Sequence, residues 1–225
     1  VKTFTLYFSL VFFFCLACQN LPKEKNIQNM PNDLPTKVAN TIPKHVWHDG
    51  DIIFHVSLSG QGKAIQLATH SDYTHCGIVF QQKGVWYVLE AIQPVSITPL
   101  QTWITRGDKG HYAVKRLKNA KEVLTKKVLQ KMQTVGKTWV GKPYDLYFGW
   151  SDDRLYCSEL VWKIYYMGAG IALAPPQKLQ DFDLTPPEVK QKLQERYGKN
   201  IPYQEKVISP SQLFESPLLE DIRIE

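Results

Sequence analysis

The chain has 225 residues, 44% of them hydrophobic and 21% charged, which suits one globular domain with a substantial core and excludes a largely disordered protein. Its 27 basic residues against 21 acidic ones give a formal charge of +6. Lys and Arg are scattered and form no run of five or six, so nucleic acid is not an expected partner.

Residues 1–17 open with Val1-Lys2, run mostly apolar from Phe4 to Phe14, and close on Cys15-Leu16-Ala17 before Cys18. A stretch this short, with a small residue at its end, reads as a secretory signal peptide rather than a membrane span. It resembles a bacterial lipoprotein signal, in which the cysteine after the small residue takes up diacylglycerol and becomes the mature N-terminus. That resemblance makes Cys18 the lipidation site and implies an exported protein, membrane-anchored through its N-terminal lipid on the periplasmic or cell-surface side. A plain cleaved signal and a short uncleaved anchor are the alternatives. Residues 18–45, rich in Asn, Lys and Pro, read as the lipid-anchored flexible linker, and residues 46–225 as a single catalytic domain. Two of the four cysteines fall in the leader, which leaves Cys76 and Cys157 in the body. One disulfide is possible for an exported chain. The body has no Cys-x-x-Cys or His-x-x-x-His spacing, so a structural metal is not expected there.

Along the body, Gly50-Asp51 turns into the apolar run Ile52-Ile53-Phe54, a strand. Residues 62–70 carry Ala64, Ile65, Leu67 and Ala68 at helical spacing. Strands are expected over 73–80 and 85–91, joined by Gln81-Gln82-Lys83-Gly84, and again over 95–98 and 112–117. Residues 120–136 place Val123, Leu124, Val128, Met132 and Val135 on one face of a helix. A second helix is expected from Cys157 until Gly168 stops it, and a third from the capping box Thr185-Pro186-Pro187-Glu188 to about Gly198. Hairpins followed by helices, without alternating βαβ units, predict an α+β fold on an antiparallel sheet.

The 73–91 hairpin carries the first chemical signal. A loop of two residues (Gln82-Lys83) or four (Gln81 to Gly84) pairs Phe80 with Val85, Ile78 with Tyr87 and Cys76 with Leu89 on one face, which is apolar throughout. The opposite face pairs Val79 with Trp86, Gly77 with Val88 and His75 with Glu90. An imidazole facing a carboxylate beside a glycine is the pattern of a base and its orienter, although either residue alone would read as an ordinary sheet position. Cys76, on the apolar face, reads as a small buried hydrophobe. Cys157 stands at a helix start, where free N–H groups and the helix dipole favour thiolate and can also bind an oxyanion.

Leu155-Tyr156-Cys157-Ser158-Glu159-Leu160-Val161, preceded by Gly141-Lys142-Pro143-Tyr144, resembles the Gly-x-Pro-Tyr and Cys-Ser-x-Leu segments of the NlpC-like papain-fold peptidases and amidases. The His strand, Tyr73-Thr74-His75-Cys76-Gly77-Ile78-Val79, precedes the Cys segment, as in the circularly permuted YiiX-type branch, and Gly50-Asp51-Ile52-Ile53-Phe54 is similar to the opening strand of those domains. The likeness covers about residues 47–215. It implies a circularly permuted papain-like fold with Cys157 as nucleophile at a helix N-terminus, His75 as base, Glu90 as third residue and Tyr144 beside the thiol as a substrate-binding residue, without cofactors. Glu159 replaces the glycine that follows Cys-Ser in ordinary members, as in the permuted branch, and is expected to narrow the groove. The expected activity is cleavage of an amide bond in a cell-wall (peptidoglycan) peptide or related amino-acid amide. The alternatives are acyl transfer or lipid hydrolysis, and a non-catalytic lipoprotein that binds a peptide or lipid. An intact Cys-His-Glu set argues against the last. The aromatic residues Trp86, Tyr144, Tyr147, Phe148, Trp150 and Tyr156 would suit either a sugar-peptide or an acyl pocket.

Overall fold

A computed structural model describes residues 47–222; the expected signal, Cys18 and the whole of the expected linker lie outside them. In chain order the elements are β1 (Ile52–His55), α1 (Gly60–Thr69), β2 (His75–Gln82), β3 (Val85–Glu90), β4 (Ser96–Pro99), α2 (Leu100–Thr105), β5 (Ala113–Leu117), α3 (Ala120–Val123), α4 (Lys126–Lys137), α5 (Cys157–Ala169), β6 (Gln177–Lys178), α6 (Pro187–Tyr197), β7 (Lys206–Val207), α7 (Pro210–Phe214) and β8 (Leu219–Asp221). Six strands make one antiparallel sheet in the order β4-β3-β2-β1-β5-β8, and β6 pairs with β7 apart from it. The chain is therefore α+β, as its hairpin-rich pattern predicts.

The sheet separates two cores. Ile52, Phe54, Cys76, Ile78, Phe80 and Leu89 face the larger one, with Leu160, Val161 and Ile164 of α5 and Met132 of α4. Ile53, Val79, Val88 and Val114 face the smaller one, closed by Trp47 and by Leu100, Trp103 and Ile104 of α2. Alternation along β1 and β2 puts successive residues into different cores, which is why these strands read as nearly continuous apolar runs.

Three helix expectations change. The stretch 120–136 is two helices, because Thr125 breaks it and caps α4 by accepting from the Val128 N–H at 3.4 Å. Gly168 does not end α5. The helix runs on to Ala169 and closes at Gly170, whose φ of 75° is the left-handed cap geometry. Gly168 instead lets α4 approach, since a Cβ there would lie 2.8 Å from the Met132 Cα. The proline start of α6 holds, but Pro186 rather than Thr185 is the cap residue, and the Thr185 hydroxyl bonds Asp183 at 2.6 Å.

Gly168→Ala is expected to lower stability by about 1–3 kcal/mol, the usual cost of overpacking a close helix contact, because the clash is with backbone as well as side chain. Thermal unfolding compared with Gly170→Ala, which meets nothing within 4 Å but sits at positive φ, checks whether contact rather than backbone freedom sets the loss.

Candidate active site

The β2–β3 turn consists of Lys83 and Gly84, with φ of 48° and 82°, the double positive-φ pattern of a tight hairpin turn. It sets Ile78 against Leu89, Val79 against Val88 and Phe80 against Tyr87. The register thus lies two residues from the expected one, because the turn forms one residue later than Gln82-Lys83. A shift of two leaves every side chain on its expected face. Continued to the strand end, it puts Glu90 opposite Gly77, and His75 one diagonal away.

Glu90 reaches His75 across that diagonal: His75 Nε2 lies 2.7 Å from Glu90 Oε2. Gly77 makes the reach possible, for a Cβ there would come within 2.4 Å of a Val88 methyl and 3.3 Å of the Glu90 Cβ. The Glu90 side chain has no exposed surface. Its other oxygen accepts from Thr98 Oγ1 of β4 at 2.5 Å and from the Arg106 guanidinium at the end of α2. Burial works against the carboxylate, but bonds from His75 and Thr98 and the charges of His75 and Arg106 overcome it and hold Glu90 below the usual carboxylate range. Trp103 of α2 stacks on the His75 ring with centroids 5.9 Å apart, and His55 meets the same ring edge-on at 5.1 Å. Burial, followed by repulsion from His75 and Arg106, pushes His55 down to about 3, so it is a neutral wall of the site.

Cys157 is the first residue of α5 and only 2% exposed. Its placement follows from the Gly-Lys-Pro-Tyr segment: the Leu155 N–H donates to the Pro143 carbonyl at 3.2 Å and the Asp145 N–H to the Leu155 carbonyl at 3.0 Å, so Tyr144 runs beside the residues leading into the helix. On the far side, Ser158 Oγ donates to the Ile208 carbonyl at 2.7 Å and the Ile208 N–H donates to Tyr156 Oη at 3.1 Å. The Cys157 thiol is held well below the ordinary thiol range. A bond from the Cys76 thiol contributes most, burial opposes it, and a bond from His75 and its charge add to the lowering. Burial alone would lower His75, yet its bonds to Cys157 and Glu90 raise it to about 9. These opposite displacements describe a thiolate–imidazolium pair near neutrality.

Cys76 is buried in the larger core, where the hairpin pattern puts it, and the same core holds Cys157, a juxtaposition that no local pattern indicates. Burial first, and then a bond to Cys157, push Cys76 well above the ordinary thiol range; both cysteines are free. Glu159 does not narrow the groove. It is fully buried, its Oε2 accepts from the Tyr156 N–H at 3.3 Å, its Oε1 lies 2.8 Å from Lys163 Nζ, and burial raises it to about 8. Tyr144 lines the cleft beside Cys157, and its hydroxyl accepts from Gln61 at 2.8 Å. Phe148 and Tyr156 join it there, whereas Trp86 belongs with the smaller core and Trp150 stacks edge-on against Trp162 at 5.3 Å. Sequence reasoning missed Thr98, Trp103 and Arg106, whose neighbours in the chain give no hint that β4 and α2 fold over the His–Glu pair.

Iodoacetamide at pH 6 is expected to alkylate Cys157 and spare Cys76, because thiolate fraction sets the rate. His75→Ala removes a bond and a charge that favour thiolate, so labelling should slow by tenfold or more at pH 6 and approach the parent rate at pH 10, where an unassisted thiol ionises. Cys76→Ala should slow it in the same direction; equal rates at pH 6 would show that the Cys76 bond contributes nothing to the thiolate.

Residues 46–223 match the family described as permuted papain-like amidase enzymes, YaeF/YiiX, the C92 family. The uncharacterized protein YiiX of Escherichia coli (strain K12) is 48% identical over 184 residues, which cover 81% of this chain and 90% of that protein. A solved structure, described as that of the metalloprotein yiiX from Escherichia coli O157:H7, aligns with a TM-score of 0.75 at 49% identity over 79% of this chain and 97% of that one. With a family match over most of its length, carrying the His strand ahead of the Cys helix, the chain belongs to the permuted papain-like amidases of the YaeF/YiiX family.

Proposed function

We propose that this protein is an exported thiol amidase that cleaves an amide bond through a thioester on Cys157, with His75 as base and acid and Glu90 as the residue that orients it. The observation that carries this is the His75–Glu90 bond of 2.7 Å on a ring that also bonds a buried thiol displaced toward thiolate. His75 takes the Cys157 proton. The thiolate adds to the amide carbonyl, and the Cys157 backbone N–H, free at the helix start, donates to the oxyanion. The C–N bond breaks as the imidazolium protonates the leaving amine. Water, deprotonated by His75, then adds to the thioester and releases the acid. Glu90 acts through His75, and Tyr144 contacts the substrate beside the thiol.

Two substrate classes meet these requirements. Export and the amidase family favour a cell-wall peptide or related amino-acid amide. The cleft beside Cys157, lined mainly by apolar side chains such as Ile65, Leu184, Leu193 and Ile208, favours an acyl group instead, as an amide or an ester. Attachment to a membrane through lipid on Cys18 would suit either. The metal named for the E. coli O157:H7 relative has no evident place here: among the described residues no three His, Cys, Asp or Glu side chains are grouped to hold an ion, and His75 and Glu90 already bond each other. No step above passes through a metal.

Incubating the purified protein with muropeptides and with acyl amides, followed by mass spectrometry, tests the activity: the parent should release free amine, and Cys157→Ala should release none. Because leaving-group protonation needs imidazolium, and His75 is raised to about 9, kcat/KM should persist through neutral pH and fall only near pH 9. Glu90→Gln removes a charge that raises His75, so the alkaline limb should move to lower pH; an unmoved limb would remove Glu90 from its assigned role. For the anchor, Cys18→Ser should move the protein from the membrane to the soluble fraction and abolish fatty-acid labelling.

A further inference from the structure

Residues 47–225 carry 22 basic and 19 acidic side chains, and the excess is local. Between 118 and 137 stand six lysines and a single carboxylate, Glu122; outside that stretch the acidic residues outnumber the basic ones, 18 to 16. Apolar and neutral residues separate most of the lysines along the chain, so they form no run. Folding gathers them. α3 and α4 turn Val123, Leu124, Val128, Met132 and Val135 toward the larger core, which leaves Lys118, Lys121, Lys126, Lys127, Lys131 and Lys137 all exposed.

Among the described residues no carboxylate lies within ion-pairing distance of any of the six. Lys126 and Lys127 open α4, whose first turn holds no acidic residue, so they stand at the end of the helix dipole that favours negative charge. Lys127 and Lys131 are four residues apart on that helix, a like-charge pair that weakens it. An anionic surface relieves this repulsion. The rest of the face indicates which kind of surface. All six cations are lysines, point charges on flexible stems, without the arginine forks that read phosphates in fixed positions. α5, packed along α4 at Gly168 and Met132, leaves Tyr166 and Met167 52% and 45% exposed. Large apolar side chains in company with lysines suit the boundary between headgroups and acyl chains, whereas a polyanion in water gains little from them.

We propose that the lysine face of α3 and α4 docks this protein on a bilayer of anionic phospholipid. The inference needs neither the amidase reading nor a lipid on Cys18. Each lysine brought to an anionic bilayer raises partition about fivefold, and the attraction fades beyond a Debye length, about 8 Å at physiological salt. Lysines therefore count only when they reach the surface together, as those of one helix face do; four of them give a gain of about several hundredfold. Because α4 is packed on α5, docking through α4 also fixes the orientation of the helix that Cys157 begins.

The full chain carrying Cys18→Ser, which removes the lipidation site, would be mixed with vesicles of phosphatidylcholine and with vesicles of equal parts phosphatidylcholine and phosphatidylglycerol, and the bound fraction read by co-sedimentation. Partition at low salt should be about a hundredfold or more greater on the anionic vesicles, and high salt should bring it toward the neutral value. Lys121→Gln, Lys127→Gln, Lys131→Gln and Lys137→Gln together should lower it by about a hundredfold. Lys63→Gln, Lys190→Gln, Lys199→Gln and Lys206→Gln together, an equal loss of charge elsewhere on the surface, should lower it by less than about threefold, since charges beyond a Debye length are screened. All eight lysines are exposed, so both variants should fold, which thermal unfolding checks. Should the first variant not fold, its four single substitutions decide: each should cost up to about fivefold, and no loss from any of them overturns the assignment. Equal losses in the two fourfold variants would show that net charge and not this face carries the binding. No loss in either would move the binding to the lysines of residues 18–45. Both results overturn the proposal, as does equal partition on the two kinds of vesicle. Tighter binding to duplex DNA than to anionic vesicles at the same salt would replace the bilayer with a polynucleotide.

Discussion

Glu90 carries a carboxylate with no exposed surface between two strands, and an unpaired charge in such a place would cost several kcal/mol. Its ionised form persists because three donors from three elements converge on it: His75 of β2, Thr98 of β4 and Arg106 at the end of α2. Much of the local architecture answers that requirement. Gly77 leaves the space through which the carboxylate reaches diagonally to His75. β4 pairs with β3 so that Ser96 faces Glu90 and Thr98 faces Val88, which puts the Thr98 hydroxyl on the carboxylate's side of the sheet. α2 then crosses the smaller core, where Trp103 lies on the His75 ring as Arg106 reaches the carboxylate.

The same arrangement decides how the two cysteines differ. They share a core, yet one is displaced toward thiolate and the other away from it. Burial raises both. Cys157 overcomes it by accepting from Cys76 and from an imidazole that Glu90 keeps charged, and by starting a helix whose free N–H groups favour negative charge. Cys76, mid-sheet and donating, has no such help. Two buried thiols of one core thus take opposite displacements with almost no difference in solvent exposure.

Permutation of the chain leaves this chemistry intact because the site is built through space. His75 comes from an early hairpin and Cys157 from a helix about eighty residues later. They meet because α5 packs on the sheet face that carries Cys76, while the segments around Pro143 and Ile208 grip the helix start from opposite sides. The cleft is assembled the same way, from α1 and α6, whose only sequence signature is apolar spacing on otherwise polar helices.

The α+β class, the hairpin, the two faces of β2 and β3 and the helix that begins at Cys157 were all legible in the chain, because side-chain alternation and helix-start chemistry are local. So was the company of His75 and Glu90, which depended on the parity of the register and not on its exact value. A turn formed one residue later kept the faces and turned a direct pairing into a diagonal one. What sequence could not supply was contact between distant segments. The partners of Glu90 beyond His75, the meeting of Cys76 and Cys157 in one core and the turning of Glu159 away from the groove each depend on how elements pack together. Alternation and periodicity say which side of an element is apolar, but not which residue of another element will stand against it.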